Sequence, residues 1–207
     1  FAAVAASVPF NIPIAHLHGG ETTLGAIDDK FRHAITQMST YHFTATEAYR
    51  QKVIALKGSE ENVWNVGAIS LDNIYTLDLL SIDSFKTRFN IDLGIPTILT
   101  TFHPETVRVH ENQSFANDVA NILEKLANDF QIIITMPNAD TNGIIIRNRL
   151  NQLINKKDNV IGLENFGTLG YFSCMKHCSL LLGNTSSGII EAASFGKFVI
   201  NIKLITE

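Results

Sequence analysis

The stretch AHLHGGETTLGAIDDKFRHA, residues 15–34, gathers three histidines, a glycine pair, three carboxylates and an arginine. Three chemistries compete for it. In a strand, side chains repeat every two residues, so His16 and His18 project to one side if the strand persists through both. That is the arrangement of an H-x-H metal site, whose further ligands would come from Glu21, Asp28 and Asp29. The ligand set is incomplete, and no metal is expected. An acid/base site is better supplied: Asp28 opens a helix four residues before Arg32, so the two share a face and can pair. A carboxylate held that way can remove a proton from carbon or activate water. The plain alternative is a helix-capping aspartate with a surface ion pair.

A second chemical stretch is LLLGNTSSGIIEAASFG, in which an apolar run leads into Thr185, Ser186, Ser187 and Gly188 and then a helix ended by Gly196. Small hydroxyl residues at a helix N-terminus offer unpaired N–H groups and the positive dipole end, which suit a phosphate. Simple capping by Thr185 or Ser186 is the alternative. The loop lacks the lysine of a Walker-type P-loop. Glu191, one turn into the helix, either meets the hydroxyls of a ribose or sugar or faces solvent. His103 in TTFHPET directly follows another apolar run, where an imidazole can bind phosphate or protonate a leaving group. Asn138 and Asp140 in MPNADTNG occupy the equivalent place one unit later, as site residues or as a turn.

The elements that must position these residues are strands and helices in alternation. Apolar runs are expected as strands at residues 12–17, 42–45, 63–66, 97–102, 131–136, 160–163, 180–183 and 198–202, mostly apolar enough to be covered on both faces. Between them, Ile27, Phe31, Ala34, Ile35 and Met38 form one helical stripe, and Phe115, Val119, Ile122, Leu123 and Leu126 another. Ser114 is an expected cap for the second of these, and Thr46 with Gly58 brackets a further helix. This is an α/β pattern of parallel sheets. The polar run SLDNIYTLDLLSIDSF marks a joint near residues 71–80, giving domains at 1–75 and 76–207. In such sheets ligands bind at the carboxyl ends of the strands, where the chemical residues above lie.

With 207 residues, 45% of them hydrophobic, and a formal net charge of -4, the chain has ample core and no basic run. Nucleic acid and anionic membranes are therefore not expected partners. The apolar opening FAAVAASVPF is too short to span a bilayer and lacks the flanks of a signal peptide. Cys174 and Cys178 lack a second ligand pair and are expected as buried thiols.

In order, the segments AHLHGGETTLGAIDDKFRHAITQMSTYHFTATEAYRQKVIAL, VGAISLDNI, TTFHPET, MPNADTNG and LLGNTSSGIIEAASFG resemble the hydrolysing UDP-N-acetylglucosamine 2-epimerases, particularly their sialic-acid and legionaminic-acid branch. The resemblance implies a GT-B-like fold, two Rossmann-like parallel-sheet domains with a nucleotide-sugar cleft between them, the first domain incomplete here. It implies elimination of UDP from UDP-N-acetylglucosamine through a glycal, then addition of water to give N-acetylmannosamine. Neither metal nor other cofactor is called for. A di-N-acetylbacillosamine nucleotide is the alternative substrate, and a non-catalytic nucleotide-sugar-binding module the alternative from another class.

Carried over by residue, Asp28 matches a catalytic carboxylate, Arg32 its neighbouring arginine, and His103 a histidine near the departing diphosphate. Thr185, Ser186 and Glu191 match nucleotide-binding positions, and Ser187 and Gly188 complete that loop. Where family members carry H-x-E-G-G, this chain has His18, so proton transfer falls to Glu21 or to His18 itself. The resemblance further implies a cytoplasmic homo-oligomer when full length, and a fragment here that is inactive alone because upstream family motifs are missing.

Overall fold

The computed structural model describes residues 1–23, 27–104, 109–137 and 143–202. The chain divides into two compact units, Phe1–Asp72 and Asn73–Glu207. In chain order the first contains α1 (Ala2–Ser7), β1 (Ala15–Leu17), α2 (Asp28–Met38), β2 (Tyr41–Thr44), α3 (Glu47–Lys57) and β3 (Val63–Asn65). The short helix α4 (Asp72–Thr76) holds both the observed division and the expected one after residue 75.

The strands of the first unit form a parallel sheet in the order β1-β2-β3, with His16 opposite His42 and His42 opposite Val63. These three residues and Thr44 are buried, while Leu17, Tyr41 and Trp64 are exposed. The sheet is thus half-covered rather than covered on both faces, since α2 and α3 lie against one side only among the described residues. On the other side Trp64 stacks between Tyr41 and Phe43, with ring centroids 6.3 and 5.3 Å away. Helix α3 starts as its sequence dictates: the Thr46 hydroxyl accepts from the Tyr49 N–H at 3.2 Å, and Gly58 closes it at φ 78°. Helix α2 departs from the expected stripe. Ile27 and Phe31 are exposed, and its buried residue is Thr36, because it meets the sheet at the His16 imidazole.

The second unit continues with α5 (Ile82–Phe89), β4 (Thr97–Thr101), α6 (Asn112–Leu126), β5 (Gln131–Thr135), α7 (Gly143–Lys156), β6 (Val160–Leu163), α8 (Gly167–His177), β7 (Leu180–Gly183), α9 (Ser187–Ile190) and β8 (Phe198–Asn201). Its five strands are parallel in the order β6-β5-β4-β7-β8. Alternate strand residues serve two cores. Ile98, Ile132 and Ile134 pack with Phe115, Leu123 and Leu150 of α6 and α7. Leu99, Ile133 and Leu181 pack on the opposite face with Phe85, Phe172 and Met175 of α5 and α8. Such two-sided burial is why these strands read as unbroken apolar runs. Ser114 does not cap α6, which begins two residues earlier at a buried Asn112. Cys174 and Cys178 are both buried free thiols, and burial raises each well above the ordinary thiol range.

No helix among the described residues is long and apolar enough to cross a membrane.

One backbone approach sets the geometry of the central strands. Gly183 sits at φ 155°, and a Cβ there would lie 2.1 Å from the Thr101 carbonyl oxygen. A side chain cannot be placed without separating β7 from β4. Gly183→Ala is therefore expected to cost roughly 3 kcal/mol, combining backbone strain and overpacking. Urea unfolding checks this, and a midpoint within error of wild type would refute it.

Candidate functional site

In the second unit, the chain winds one way from β4 through β5 to β6, then crosses back to β7 and β8. The reversal lies between β4 and β7, and in open parallel sheets the crevice beyond the carboxyl ends of the strands at that point takes ligands. The residues leaving those two strands are His103 and the run Asn184 to Gly188. Asn184 joins them: its Oδ1 accepts the His103 N–H at 2.7 Å, and its Nδ2 donates to the His103 carbonyl at 2.8 Å. The His103 ring is exposed at this edge.

Beside this clasp lies a cavity of about 300 Å³, lined by Thr101, Thr135, Thr168, Tyr171, Thr185 and Ser187 among others. Its size is at the lower end for small-molecule sites. Thr101 and Thr135 end their strands with hydroxyls bonded to each other. The Tyr171 phenol from α8 bonds to Ser187 and Thr101, and burial chiefly, then the Glu191 carboxylate, raises it above the ordinary phenol value. At the rim, Arg147 donates to the Pro137 carbonyl at 2.6 Å and pairs with Glu164, bracing the segments that follow β5 and β6.

Two expectations about this edge need correction. The helix after the hydroxyl loop is a single turn, Ser187–Ile190, followed by a 3-10 turn over Ala192–Phe195 and Gly196 at φ 63°. Its dipole is correspondingly small, so binding there would rest on individual N–H and hydroxyl groups rather than on a long helix. The nearest approach to a cap is Thr185, whose hydroxyl lies 3.5 Å from the Ser187 N–H, and Ser186 makes no side-chain cap. Glu191 is buried at 6% exposure, not solvent-facing. Gly188 packs under Val199, within 2.9 Å of where a Cβ would stand. Asn138 and Asp140 lie outside the described residues.

In the first unit, β1 ends at Leu17, and His18 turns away at φ 60°. The strand does not persist through both residues, so the H-x-H pair that would have required it is not formed. His16 is buried, with its Nδ1 3.2 Å from the Thr36 hydroxyl, which itself donates to the Arg32 carbonyl. Burial first, then His42, Arg32 and His18, pull its pKa down to about 4. His18 instead meets Glu21, Nδ1 to Oε1 at 2.6 Å, with side chains 33% and 21% exposed. The intervening glycines are needed for passage: at Gly20, φ 82°, a Cβ would fall 2.4 Å from the Tyr49 carbonyl oxygen. Among the described residues no group of three or more His, Cys, Asp or Glu side chains is gathered as a metal would require.

Arg32 does not pair with Asp28. Its guanidinium reaches Asp29 at 2.5 Å and the Glu21 carbonyl at 3.1 Å, while Asp29 also accepts the Thr23 N–H at 3.0 Å. Spacings of three and four residues both face along a helix, and the turn carrying Thr23 selects Asp29. Asp28 stands exposed on the first turn of α2. The structure thus brings together His18, Glu21 and Arg32 in one unit, and Thr185 and Ser187 beside the His103–Asn184 clasp in the other. Sequence reasoning missed Tyr171 and Arg147, and it named Asp29 as a possible metal ligand rather than as the partner of Arg32. Strand-terminal Thr101 and Thr135 were findable by their place at the carboxyl edge, whereas nothing local marks Tyr171.

All 207 residues match the family profile described as UDP-N-acetylglucosamine 2-epimerase. The chain belongs to this family. It is 38% identical over 202 residues to the UDP-N,N'-diacetylbacillosamine 2-epimerase (hydrolyzing) of Legionella pneumophila, covering 97% of this chain and 52% of that protein. The GDP/UDP-N,N'-diacetylbacillosamine 2-epimerase (hydrolyzing) of Campylobacter jejuni is 36% identical over 93% of this chain and 50% of its own length. This epimerase-family chain thus spans about half the length of the curated relatives it matches. Among solved structures, the UDP-GlcNAc 2-epimerase of Neisseria meningitidis bound to UDP-GlcNAc superposes with a TM-score of 0.78 at 20% identity, over 99% of this chain and 57% of that one. At that identity the likeness shows the fold, which is the expected GT-B-like α/β type with parallel sheets.

Two measurements follow from the geometry. Replacing Asn184 by Ala removes both bonds to His103 and is expected to cost about 2 kcal/mol, with Asn184→Asp recovering part through the retained acceptor; urea midpoints that do not move would refute the clasp. For His16, the unfolded imidazole takes a proton near its usual 6.5, while the folded one resists until about 4. Stability should fall as pH drops between those values, by roughly 3 kcal/mol, and then level off. Unfolding followed across that window checks this, with His16→Gln expected to flatten the dependence.

Proposed function

We propose that the protein acts as a hydrolysing 2-epimerase on a UDP-linked 2-acetamido sugar. The observation that carries this is the cavity at the strand reversal of the second unit, lined by Thr185 and Ser187 in a chain whose whole length matches the epimerase family. In the proposed reaction a base takes the proton at C2 of the sugar. The electron pair of the C2–H bond becomes the second C1–C2 bond as the C1–O bond breaks, and UDP leaves with its bonding pair. Water then adds its oxygen to C1, and a proton returns to C2 on the opposite face. The sum is one water consumed and one UDP released, with no net redox change.

In this scheme Thr185, Ser186, Ser187 and the backbone at Gly188 hold the diphosphate, and Glu191 meets ribose hydroxyls. His103, fixed through Asn184, stabilises the departing diphosphate. Proton transfer at C2 falls to the first unit's group, His18, Glu21 and Asp28, with Arg32 fixing the loop that carries His18 and Glu21.

Relatives at 38% and 36% identity are named for diacetylbacillosamine nucleotides, which favours that substrate for this chain. UDP-N-acetylglucosamine, giving N-acetylmannosamine, is the second reading, favoured by the family description and by the 27% identical UDP-N-acetylglucosamine 2-epimerase of Neisseria meningitidis.

Proton NMR of the full-length gene product in deuterated water, with each nucleotide sugar in turn, tests both. The expected result is release of UDP and a 2-epimerised free sugar carrying deuterium at C2, faster from the bacillosamine nucleotide. Faster reaction of UDP-N-acetylglucosamine would reverse the substrate order. Binding of both with C2–H retained in each would overturn catalysis in favour of a binding module. Thr185→Val and Ser187→Ala should each weaken UDP binding about tenfold, the loss of one hydrogen bond to a charged group.

A further inference from the structure

We propose that His18 and Glu21 are not alternative bases but a single coupled dyad, in which the His18 Nε2 atom takes the proton from the substrate carbon and Glu21 is the positioning residue behind it. The inference rests on the epimerase function proposed above and assigns atoms within it.

Four observations build the dyad. The His18 Nδ1 lies 2.6 Å from the Glu21 Oε1, the length of a charge-assisted bond. An ionised carboxylate only accepts, so the shared proton belongs to Nδ1, leaving the Nε2 lone pair as the basic atom of the neutral ring. The pair is built in by the backbone. The His18 N–H still bonds the Phe43 carbonyl at 2.9 Å, continuing the β1–β2 ladder, and the residue then turns at φ 60°. That turn folds Glu21 back onto the ring over Gly19 and Gly20, the latter too close to the Tyr49 carbonyl for any side chain. Finally, the Glu21 main chain is held from α2 by the Arg32 bond to its carbonyl at 3.1 Å, and Arg32 is itself fixed by Asp29. A carboxylate that fixes the tautomer and angle of an imidazole whose far nitrogen does the chemistry is a known catalytic division of labour.

The proton balance is simple. The C2–H bond breaks, its proton goes to Nε2, and its electron pair expels the nucleoside diphosphate from C1. Return of a proton to the opposite face requires a second group, for which exposed Asp28 on α2 is the available carboxylate.

The test is made on the full-length gene product with the nucleotide sugar it turns over fastest. His18→Asn suits the site because asparagine tolerates the left-handed backbone that His18 adopts. It should lower kcat about 10³-fold with KM changed less than twofold, as for loss of a general base. Glu21→Gln should lower kcat about 30-fold, since the base remains but loses its anchor, and Glu21→Asp should recover part of that loss. The double variant should be no slower than His18→Asn within a factor of about three, because residues acting as one unit are not additive.

Nitrogen-15 NMR of the imidazole gives a readout free of turnover: the wild type should show His18 protonated at Nδ1, and Glu21→Gln should lose that preference. Near-wild-type kcat in His18→Asn, or a larger loss in Glu21→Gln than in His18→Asn, would make Glu21 the base and overturn the dyad. Multiplying losses in the double variant would overturn it too, as would His18 protonated at Nε2. Wild-type protein that releases no epimerised sugar from either nucleotide would instead overturn the proposed function, and with it any role of the pair at C2.

Discussion

Two strands that leave the centre of a sheet in opposite directions must be close where they pair and open just beyond, and Gly183 is where both demands meet. Its missing Cβ lets β7 come against the Thr101 carbonyl, to which the N–H of the next residue, Asn184, still bonds at 3.2 Å. The neighbouring Thr100 hydroxyl reinforces the pairing by donating to the Leu182 carbonyl at 2.6 Å. Asn184 then spans the opening, satisfying both main-chain groups of His103 with one side chain. The cavity beside it owes its walls to this spacing: a wider approach would pull Ser187 away from Tyr171, and a tighter one would fill the space with backbone.

The first unit solves a related problem with different atoms. Its half-covered sheet buries histidines and threonines where the second unit buries isoleucine and leucine. Buried polar groups are tolerable when paired, and for His16 the chain through the Thr36 hydroxyl to the Arg32 carbonyl supplies that pairing, whereas the ring nitrogens of the buried His42 have no hydrogen-bond partner among the described residues. The polar floor also explains why the loop above it is so constrained. Between His18 and Glu21, Gly19 packs against the His16 ring and Val53 and Gly20 against Tyr49, which leaves the two side chains to meet each other. A strand continuing one residue further would have put His18 beside His16 in a dry, cationic neighbourhood. Ending the strand at Leu17 separates a structural imidazole from a partly exposed one.

Family membership and this geometry fit without strain. Solved relatives of under 25% identity share the scaffold, so the scaffold tolerates wide replacement of its residues.

The alternation of apolar runs and amphipathic helices was enough to fix an α/β fold and its strand order along the chain, because burial on two faces leaves a periodic signature in residue type. The Thr46 and Gly58 helix ends were legible for the same local reason, since a cap is decided within four residues. The ordered motifs carried the family. Other features depended on which distant groups came near. Asp28 and Asp29 are equivalent by helical spacing, and only the turn through Thr23 gave Arg32 to Asp29. Phe31 and Thr36 exchange their expected burial because the surface opposite α2 is an imidazole. Tyr171 reaches Thr101 and Ser187 from a helix with no local mark of function. Local propensity acts over a few bonds and is written in sequence, whereas desolvation and hydrogen-bond partnership are properties of three-dimensional neighbourhoods and arise only once the sheets have assembled.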